Sequence, residues 1–218
     1  MSRARLLIAD DHALMLDGLR RLLRREFDVL GTFEDGRALL QATLAQTPDV
    51  VILDISMPLL NGLDAGAQIH KALPNVRLIF MSMHTEPEFV RDAFRAGASA
   101  FVDKRAHGPE LIQAVHEVMA GRTYISPRIK TALDALPANS GTNGDAQRRE
   151  PAVPVLTTRQ REVLQLVAEG RSEKEIASEL HVCEKTVEFH KASIRRQLSL
   201  RSTADMIRYA IKHGLACD

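Results

Sequence analysis

Cysteine is nearly absent: the 218-residue chain holds two, Cys183 and Cys217. Two thiols so far apart, with no others near, build neither a disulfide framework nor a zinc-ligand pattern, and they point to a reducing compartment. Nowhere is there an apolar stretch long enough to span a bilayer. Only Leu6-Leu7-Ile8-Ala9 stands between Arg5 and the first acids, too short for the apolar segment of a secretion signal. The chain therefore reads as cytoplasmic, with no membrane partner. Nor does one sign of charge prevail, with 29 Lys+Arg against 28 Asp+Glu. Residues 1–126 carry 14 basic against 16 acidic side chains, and residues 155–218 carry 11 against 9. A surplus of two is a weak nucleic-acid footprint, because non-specific affinity grows with the number of phosphates neutralised. Net charge alone does not establish nucleic-acid binding.

Large apolar side chains also vanish over residues 137–154, which run Pro-Ala-Asn-Ser-Gly-Thr-Asn-Gly-Asp-Ala-Gln-Arg-Arg-Glu-Pro-Ala-Val-Pro. Such a stretch buries too little surface to offset its ordering entropy and reads as a linker. The expected organisation is a first domain over 1–126, a connection over 127–154 that begins with a short helix at 127–136, and a second domain over 155–218.

What is present before the linker is a regular alternation of short apolar runs and helical periods. Strands are expected at Arg5–Ala9, Val29–Phe33, up to Asp54, Val76–Met81 and Ala100–Asp103. Helices are expected at about Ala13–Glu26, Arg37–Gln46, Leu63–Leu73, Pro87–Ala96 and Gly108–Ala120. Five strands alternating with five helices predict a flavodoxin-like, doubly wound five-stranded parallel sheet. Arg20, Arg21, Arg24 and Arg25 crowd the outer face of the first helix, and a solvated face is the simplest reading of such a run.

Four of the strands end on chemistry. Leu6–Ala9 is followed by Asp10-Asp11, Val50–Leu53 by Asp54, Leu78–Met81 by Ser82, and Phe101-Val102 shortly by Lys104. In an open α/β sheet the carboxyl ends of the strands line the ligand site. Three carboxylates crowded there repel one another, and an oxygen-rich set with open positions suits Mg2+, which often shares a phosphate. Asp54 could then attack a phosphoryl group as nucleophile, with Lys104 neutralising the charge on the phosphoryl oxygens and Ser82 hydrogen-bonding the product. Asp and Ser also end strands merely as turn formers. That explanation suffices for one strand and fails for four ends at these spacings, with Met57-Pro58 and Asn61-Gly62 supplying a tight loop after Asp54.

Residues 5 to about 122 resemble the receiver domain of two-component response regulators, on the motif Asp54-Ile55-Ser56-Met57-Pro58 with Asn61-Gly62. The whole chain is similar to the NarL/FixJ-type subclass, whose output is a LuxR-type helix-turn-helix. The resemblance implies that Asp54 is the phosphoacceptor and that Asp11, Asp54 and the Ser56 carbonyl hold Mg2+, with Asp10 acting through a metal-bound water. It further implies that Ser82 and Phe101 are the switch residues, that Lys104 binds the phosphoryl group, and that Ser56 and His84 flank the site where its lifetime is tuned. A kinase partner would dock around the first helix.

Residues 155–214 turn wholly helical in period. Thr157 or Thr158 caps a helix to about Glu169, Ser172 caps one over Glu173–Leu180, a third covers Glu184–Gln197, and Ser202 caps a fourth to Lys212. The middle pair fits a helix-turn-helix, whose second helix enters the major groove. Val187, Ile194 and Leu198 form its inward stripe. Outward residues expected at DNA are Lys185, Glu188, Phe189, Lys191, Ala192, Arg195 and Arg196, joined by Lys174 from the preceding helix. The basic ones suit phosphates, which position without specifying sequence. His190, without a ligand pattern around it, reads as a phosphate contact or packing residue.

The module resembles the LuxR-type family over essentially its whole length, through Leu156-Thr157-Thr158-Arg159-Gln160-Arg161-Glu162-Val163-Leu164, Gly170-Arg171-Ser172-Glu173-Lys174-Glu175-Ile176-Ala177 and Thr186-Val187-Glu188-Phe189-His190. It departs in two places. Glu188 stands where the family usually has Lys or Arg; it can accept from cytosine N4 but repels a phosphate. Cys183 stands where the family usually has a Ser cap, and thiol caps poorly. A helix N-terminus also raises thiolate content, although a small inert packing residue is the simpler reading of Cys183.

These readings combine into a DNA-binding transcriptional regulator switched when a sensor histidine kinase phosphorylates Asp54 with Mg2+. Further expectations are a homodimer when phosphorylated, pairing through Ser202–Lys212, binding to double-stranded promoter DNA, and RNA polymerase as a further partner. The chain is not expected to be an enzyme beyond slow loss of its own phosphoryl group. Two rivals stand beside this: a phosphomonoester hydrolase, for which the loops at the strand ends are short, and a regulator that keeps the acidic pocket but switches without phosphate, for which Glu188 is the best support.

Overall fold

The computed structural model describes residues 3–106, 108–134 and 156–215. The expected linker at 137–154 and Cys217 lie outside the described residues. The chain folds as two compact units that divide near residue 130.

In the first unit, β1 (Arg5–Ala9), α1 (Ala13–Leu23), β2 (Asp28–Phe33), α2 (Gly36–Gln46), β3 (Val50–Asp54), α3 (Gly62–Ala72), β4 (Arg77–Ser82), α4 (Pro87–Arg95), β5 (Ala98–Asp103), α5 (Gly108–Met119) and β6 (Tyr124–Ile125) follow one another, and α6 (Pro127–Asp134) comes next. All neighbouring strands are parallel, in the order β2-β1-β3-β4-β5-β6. Strands covered by helices on both faces are apolar throughout, which is why β3 is buried at every position. One face carries Leu6, Ile8, Val50, Ile52, Ile79, Met81 and Val102 against Leu16, Leu19 and Leu23 of α1 and Leu111, Val115 and Val118 of α5.

The sheet has six strands where five are expected. β6 is two residues long, too short to show a period, and its pairing with Ala100 and Phe101 is completed by Ser126 N donating to Phe101 O at 3.0 Å. The first helix ends at Leu23 and not near Glu26, because the chain curls inward there and buries Phe27, whose N–H donates to Leu23 O at 2.9 Å. The short helix expected over 127–136 is described as Pro127–Asp134.

The second unit contains α7 (Thr158–Ala168), α8 (Glu173–Glu179), α9 (Glu184–Gln197) and α10 (Thr203–Lys212). The starts of α7, α8 and α10 are chemically marked. Thr157 with Gln160, Ser172 with Glu175 and Ser202 with Asp205 form reciprocal capping boxes, each satisfying two orphan N–H groups. Leu164, Leu166, Ile176, Val187, Ile194 and Met206 are fully buried at the centre, joined by a Gln160 Nε2 to Ser193 Oγ hydrogen bond of 3.1 Å. Leu198 is only half-buried, since it caps the end of α9; Ser193 fills the inward stripe instead.

Candidate functional site

The strand order reverses between β1 and β3, both of which lie next to one another in the sheet. That is where crossovers leave in opposite directions and open a crevice at the carboxyl ends. Asp10 follows β1 and Asp54 ends β3, so the topology places both carboxylates at the crevice. Lys104, just past β5, bridges them: its Nζ lies 2.8 Å from Asp10 Oδ2 and 2.7 Å from Asp54 Oδ2. All three groups are almost wholly enclosed, with side-chain exposures of 5 %, 1 % and 5 % for Lys104, Asp10 and Asp54. Asp11 is partly exposed beside them.

The electrostatics follow from this enclosure. Burial pushes the Asp54 carboxyl from 3.8 up to about 6; Lys104 pulls it down, while Asp10 and Asp11 push it further up. For Lys104, burial works against the charge, but Asp54 and Asp10 outweigh it and hold its pKa above the ordinary lysine value. One ammonium thus serves two buried carboxylates, with a third nearby. The three carboxylates carry more negative charge than Lys104 neutralises, and an oxygen-rich set of that charge fits a hard divalent cation. Asp10, Asp11 and His12 bring one ligand atom each to within 4.8 Å of one another, and Ser56 stands in the half-buried loop after β3.

The loop after Asp54 is held by close backbone approach. Gly62 N donates to Ile55 O at 2.8 Å, and a Cβ on Gly62 would lie 1.9 Å from the Asp54 carbonyl oxygen. Asn61 caps α3 through its Oδ1, which accepts from Asp64 N at 2.9 Å, and its Nδ2 donates to Asp64 Oδ2 at 2.9 Å. Leu59 takes a positive φ of 64° in the same loop, a conformation that costs a non-glycine residue roughly 1 kcal/mol. Ser82 is buried at the end of β4, its Oγ accepting from His84 N at 2.9 Å. The His84 ring is exposed and stacks on Phe89 with centroids 4.8 Å apart. Phe101 is fully buried, one strand over from Ser82.

His12 belongs to this cluster and is absent from the sequence expectations. Its Nδ1 lies 2.7 Å from Asp11 Oδ1 and 3.2 Å from Asp10 Oδ1, and its backbone N donates to Asp10 Oδ1 at 3.0 Å. The only sequence signal for it is its place directly after the acidic pair.

In the second unit, α9 buries Val187 and Ile194 and leaves Lys185, Glu188, Ala192 and Arg196 exposed, with Phe189 66 % exposed. Arg195 is half-buried, and Lys174 is exposed on α8. Lys191 is drawn back: its Nζ donates to Glu173 Oε1 at 2.6 Å and its side chain is 17 % exposed. His190 is half-buried, its ring edge-on to Phe189. Cys183 begins α9 without a side-chain cap, its Sγ 3.2 Å from Thr186 Oγ1. That hydroxyl and the backbone N–H groups of the helix start hold the exposed thiol below its ordinary pKa.

Residues 6–116 match the response regulator receiver domain family, and residues 154–210 match the luxR family of bacterial regulatory proteins. The chain is 36 % identical over 214 residues to the oxygen regulatory protein NreC of Staphylococcus carnosus, covering 97 % of this chain and 98 % of that protein. It is 34 % identical to the transcriptional regulatory protein MctR of Rhizobium johnstonii, covering 98 % and 95 %. Among solved structures it is similar to the RcsB response regulator of Salmonella typhimurium, with a TM-score of 0.58 and 27 % identity over 96 % of this chain and 98 % of that one. A LuxR-family two-component response regulator from Aurantimonas gives a TM-score of 0.59 and 32 % identity over 61 % of this chain and 96 % of that one.

Proposed function

The chain belongs to the response regulators that join a receiver domain to a LuxR-family DNA-binding domain, and on that premise we propose that Asp54 is its phosphoacceptor and α9 its DNA-reading helix. The observation that carries the first part is the shared ammonium: Lys104 touches both Asp10 and Asp54 in an enclosed pocket at the switch point of the sheet. In the reaction, an Asp54 carboxylate oxygen forms a bond to phosphorus while the bond from phosphorus to the donor histidine of a sensor kinase breaks, the electron pair leaving on that nitrogen. Lys104 is placed to follow the incoming phosphoryl oxygens, and the Ser82 hydroxyl to donate to one of them. Asp10, Asp11, Asp54 and the Ser56 carbonyl would hold Mg2+, which supplies charge neutralisation at the phosphoryl oxygens when bound. Water reaching the same pocket returns the protein slowly to its resting state, with Ser56 and His84 beside the path.

Phosphorylation shifts an equilibrium only by making different contacts in the two states. Here those contacts are the ones Lys104 and Ser82 make with the phosphoryl group. Ser82 is paired across the ladder to Asp103, two residues beyond Phe101, so movement at Ser82 is felt along β5. The favoured state is a homodimer joined through α10 that binds double-stranded promoter DNA, with half-sites about one helical turn apart, in a reducing cytoplasm and with RNA polymerase as a further partner. We take 1–126 as the receiver and 155–218 as the DNA-binding domain.

Intact mass spectrometry of the native chain and its Asp54→Asn variant, each incubated with magnesium and a small phosphodonor, tests this. One phosphoryl adduct on the native chain, absent from the variant, is expected. A folded native chain without an adduct overturns phosphate control and points to a regulator switched by other means.

A further inference from the structure

The opposite end of the sheet carries charge of the other sign. Six of the 14 basic residues in 1–126 fall within the first 25 positions: Arg3, Arg5, Arg20, Arg21, Arg24 and Arg25. Four of them converge. An open groove of about 660 Å3 at the amino ends of β1 and β2 is lined by Arg3, Arg5, Arg20 and Arg24, with Phe27, Asp28 and Val29 completing the wall. It lies a strand length away from the pocket around Asp54, since Asp10 and Asp54 follow the carboxyl ends of β1 and β3.

Basic side chains in the last turn of a helix are favoured by the helix dipole, and that alone explains Arg20 and Arg21 at the end of α1. It does not explain why Arg3 and Arg5, from a strand, meet Arg20 and Arg24 in one groove. Arg20 in the last turn of α1 and Arg24 at its C-cap are like charges about one turn apart and repel, and among the described residues the side chains of Arg3, Arg20 and Arg24 take no hydrogen bond or ion pair that would relieve the repulsion. Asp28 supplies one negative charge against four positive ones. Arg5 is held in place, its guanidinium donating to Thr47 O at 3.1 Å and Gln46 O at 2.9 Å while Arg5 N donates to Asp49 Oδ2 at 2.7 Å. A fixed guanidinium spends less entropy on binding than a free one. Guanidinium forks match phosphate oxygens two at a time, and a groove of this size is within the range of small-molecule sites.

We propose that this groove is a binding site for a compact, multiply charged phosphate chain, either free inorganic polyphosphate or the polyphosphate of a nucleotide, separate from the phosphoacceptor pocket. The test uses the full chain with magnesium chelated and isothermal titration of sodium tripolyphosphate and of ATP. Arg20→Gln with Arg24→Gln should weaken tripolyphosphate binding by about tenfold or more, a change of roughly 1.4 kcal/mol. Arg21→Gln with Arg25→Gln removes the same charge from the end of α1 and the turn after it, outside the groove, and should change affinity by no more than about twofold. Gln keeps helix propensity close to that of Arg, so both pairs remain folded. Independently of any variant, tripolyphosphate should slow amide exchange in peptides from residues 3–29 of the native chain. Equal affinity for the two probes identifies the free chain as sufficient, and tighter ATP binding identifies a nucleotide whose base uses the wall around Phe27 and Val29. No binding by the native chain, equal losses in the two variant pairs, or exchange protection confined to other segments would each overturn the site.

Discussion

Replacing Asp54 by Asn should make the first unit more stable, and the gain should appear only as the pH rises. Asp54 ionises at about 6 in the folded chain against 3.8 when free of its surroundings, chiefly because burial strips water from the carboxylate. At about 1.36 kcal/mol per pH unit, that gap corresponds to roughly 3 kcal/mol. The sign follows from proton counts. Below 3.8 the group is protonated in both states and contributes nothing; between 3.8 and about 6 the folded state keeps a proton that the unfolded chain has lost, so stability falls with rising pH; above about 6 the penalty is complete. Asn cannot ionise and escapes the penalty, although it leaves Asp10 as the one ion-pair partner of Lys104 among the described residues, so the figure is an upper bound. With magnesium chelated, Asp54→Asn should therefore exceed the native chain by about 1–3 kcal/mol near pH 8 and by roughly a third of that, at most about 1 kcal/mol, near pH 4.5. Hydrogen exchange read by mass spectrometry across a urea series measures this on the full chain, with peptides of β3 reporting the first unit and peptides of α9 serving as an internal reference. At slopes of about 1–3 kcal/mol per molar urea, the β3 midpoint should move up by roughly 1 M near pH 8. Added magnesium should then raise the native midpoint toward that of the variant, because a ligand that binds only the folded state stabilises it. A variant no more stable than the native chain near pH 8, or a gap of equal size at both pH values, would refute the argument.

Three further outcomes are expected. Gly62→Ala forces a Cβ to within 1.9 Å of the Asp54 carbonyl oxygen, and because backbone must move, the first unit should lose about 2–4 kcal/mol in urea unfolding and accept a phosphoryl group more slowly; wild-type stability would show that the loop relaxes freely. Cys183→Ser supplies the side-chain cap that α9 lacks, so the second unit should melt about 4 °C higher, and a lower melting temperature would mean that the thiol contributes packing not seen here. Glu188→Lys exchanges an exposed acid on α9 for a cation; affinity for random-sequence DNA should rise and the salt dependence steepen by about one counterion, as measured by fluorescence anisotropy at several salt concentrations, whereas an unchanged slope would place residue 188 away from the phosphates.

Local chemistry in the sequence determined most of the architecture. Apolar runs separated by helical periods specify the alternation of β1–β5 with α1–α5, and the Thr157, Ser172 and Ser202 boxes announce the starts of α7, α8 and α10 because a cap is a contact between near neighbours in the chain. The identity of the residues at the strand ends was likewise readable, since carboxylate, hydroxyl and ammonium each follow an apolar run directly. What needed the tertiary structure was every quantity that depends on residues far apart in sequence. That Lys104 is shared between Asp10 and Asp54, and that this enclosure lifts Asp54 to about 6, follows from strands 44 and more residues apart being laid side by side. The pairing of β6, the retreat of Lys191 onto Glu173, and the meeting of Arg3 and Arg5 with Arg20 and Arg24 are of the same kind. Sequence periodicity reports which face of an element is apolar; only packing decides which neighbours that face brings together, how much water is left around a charge, and therefore what the charge can do.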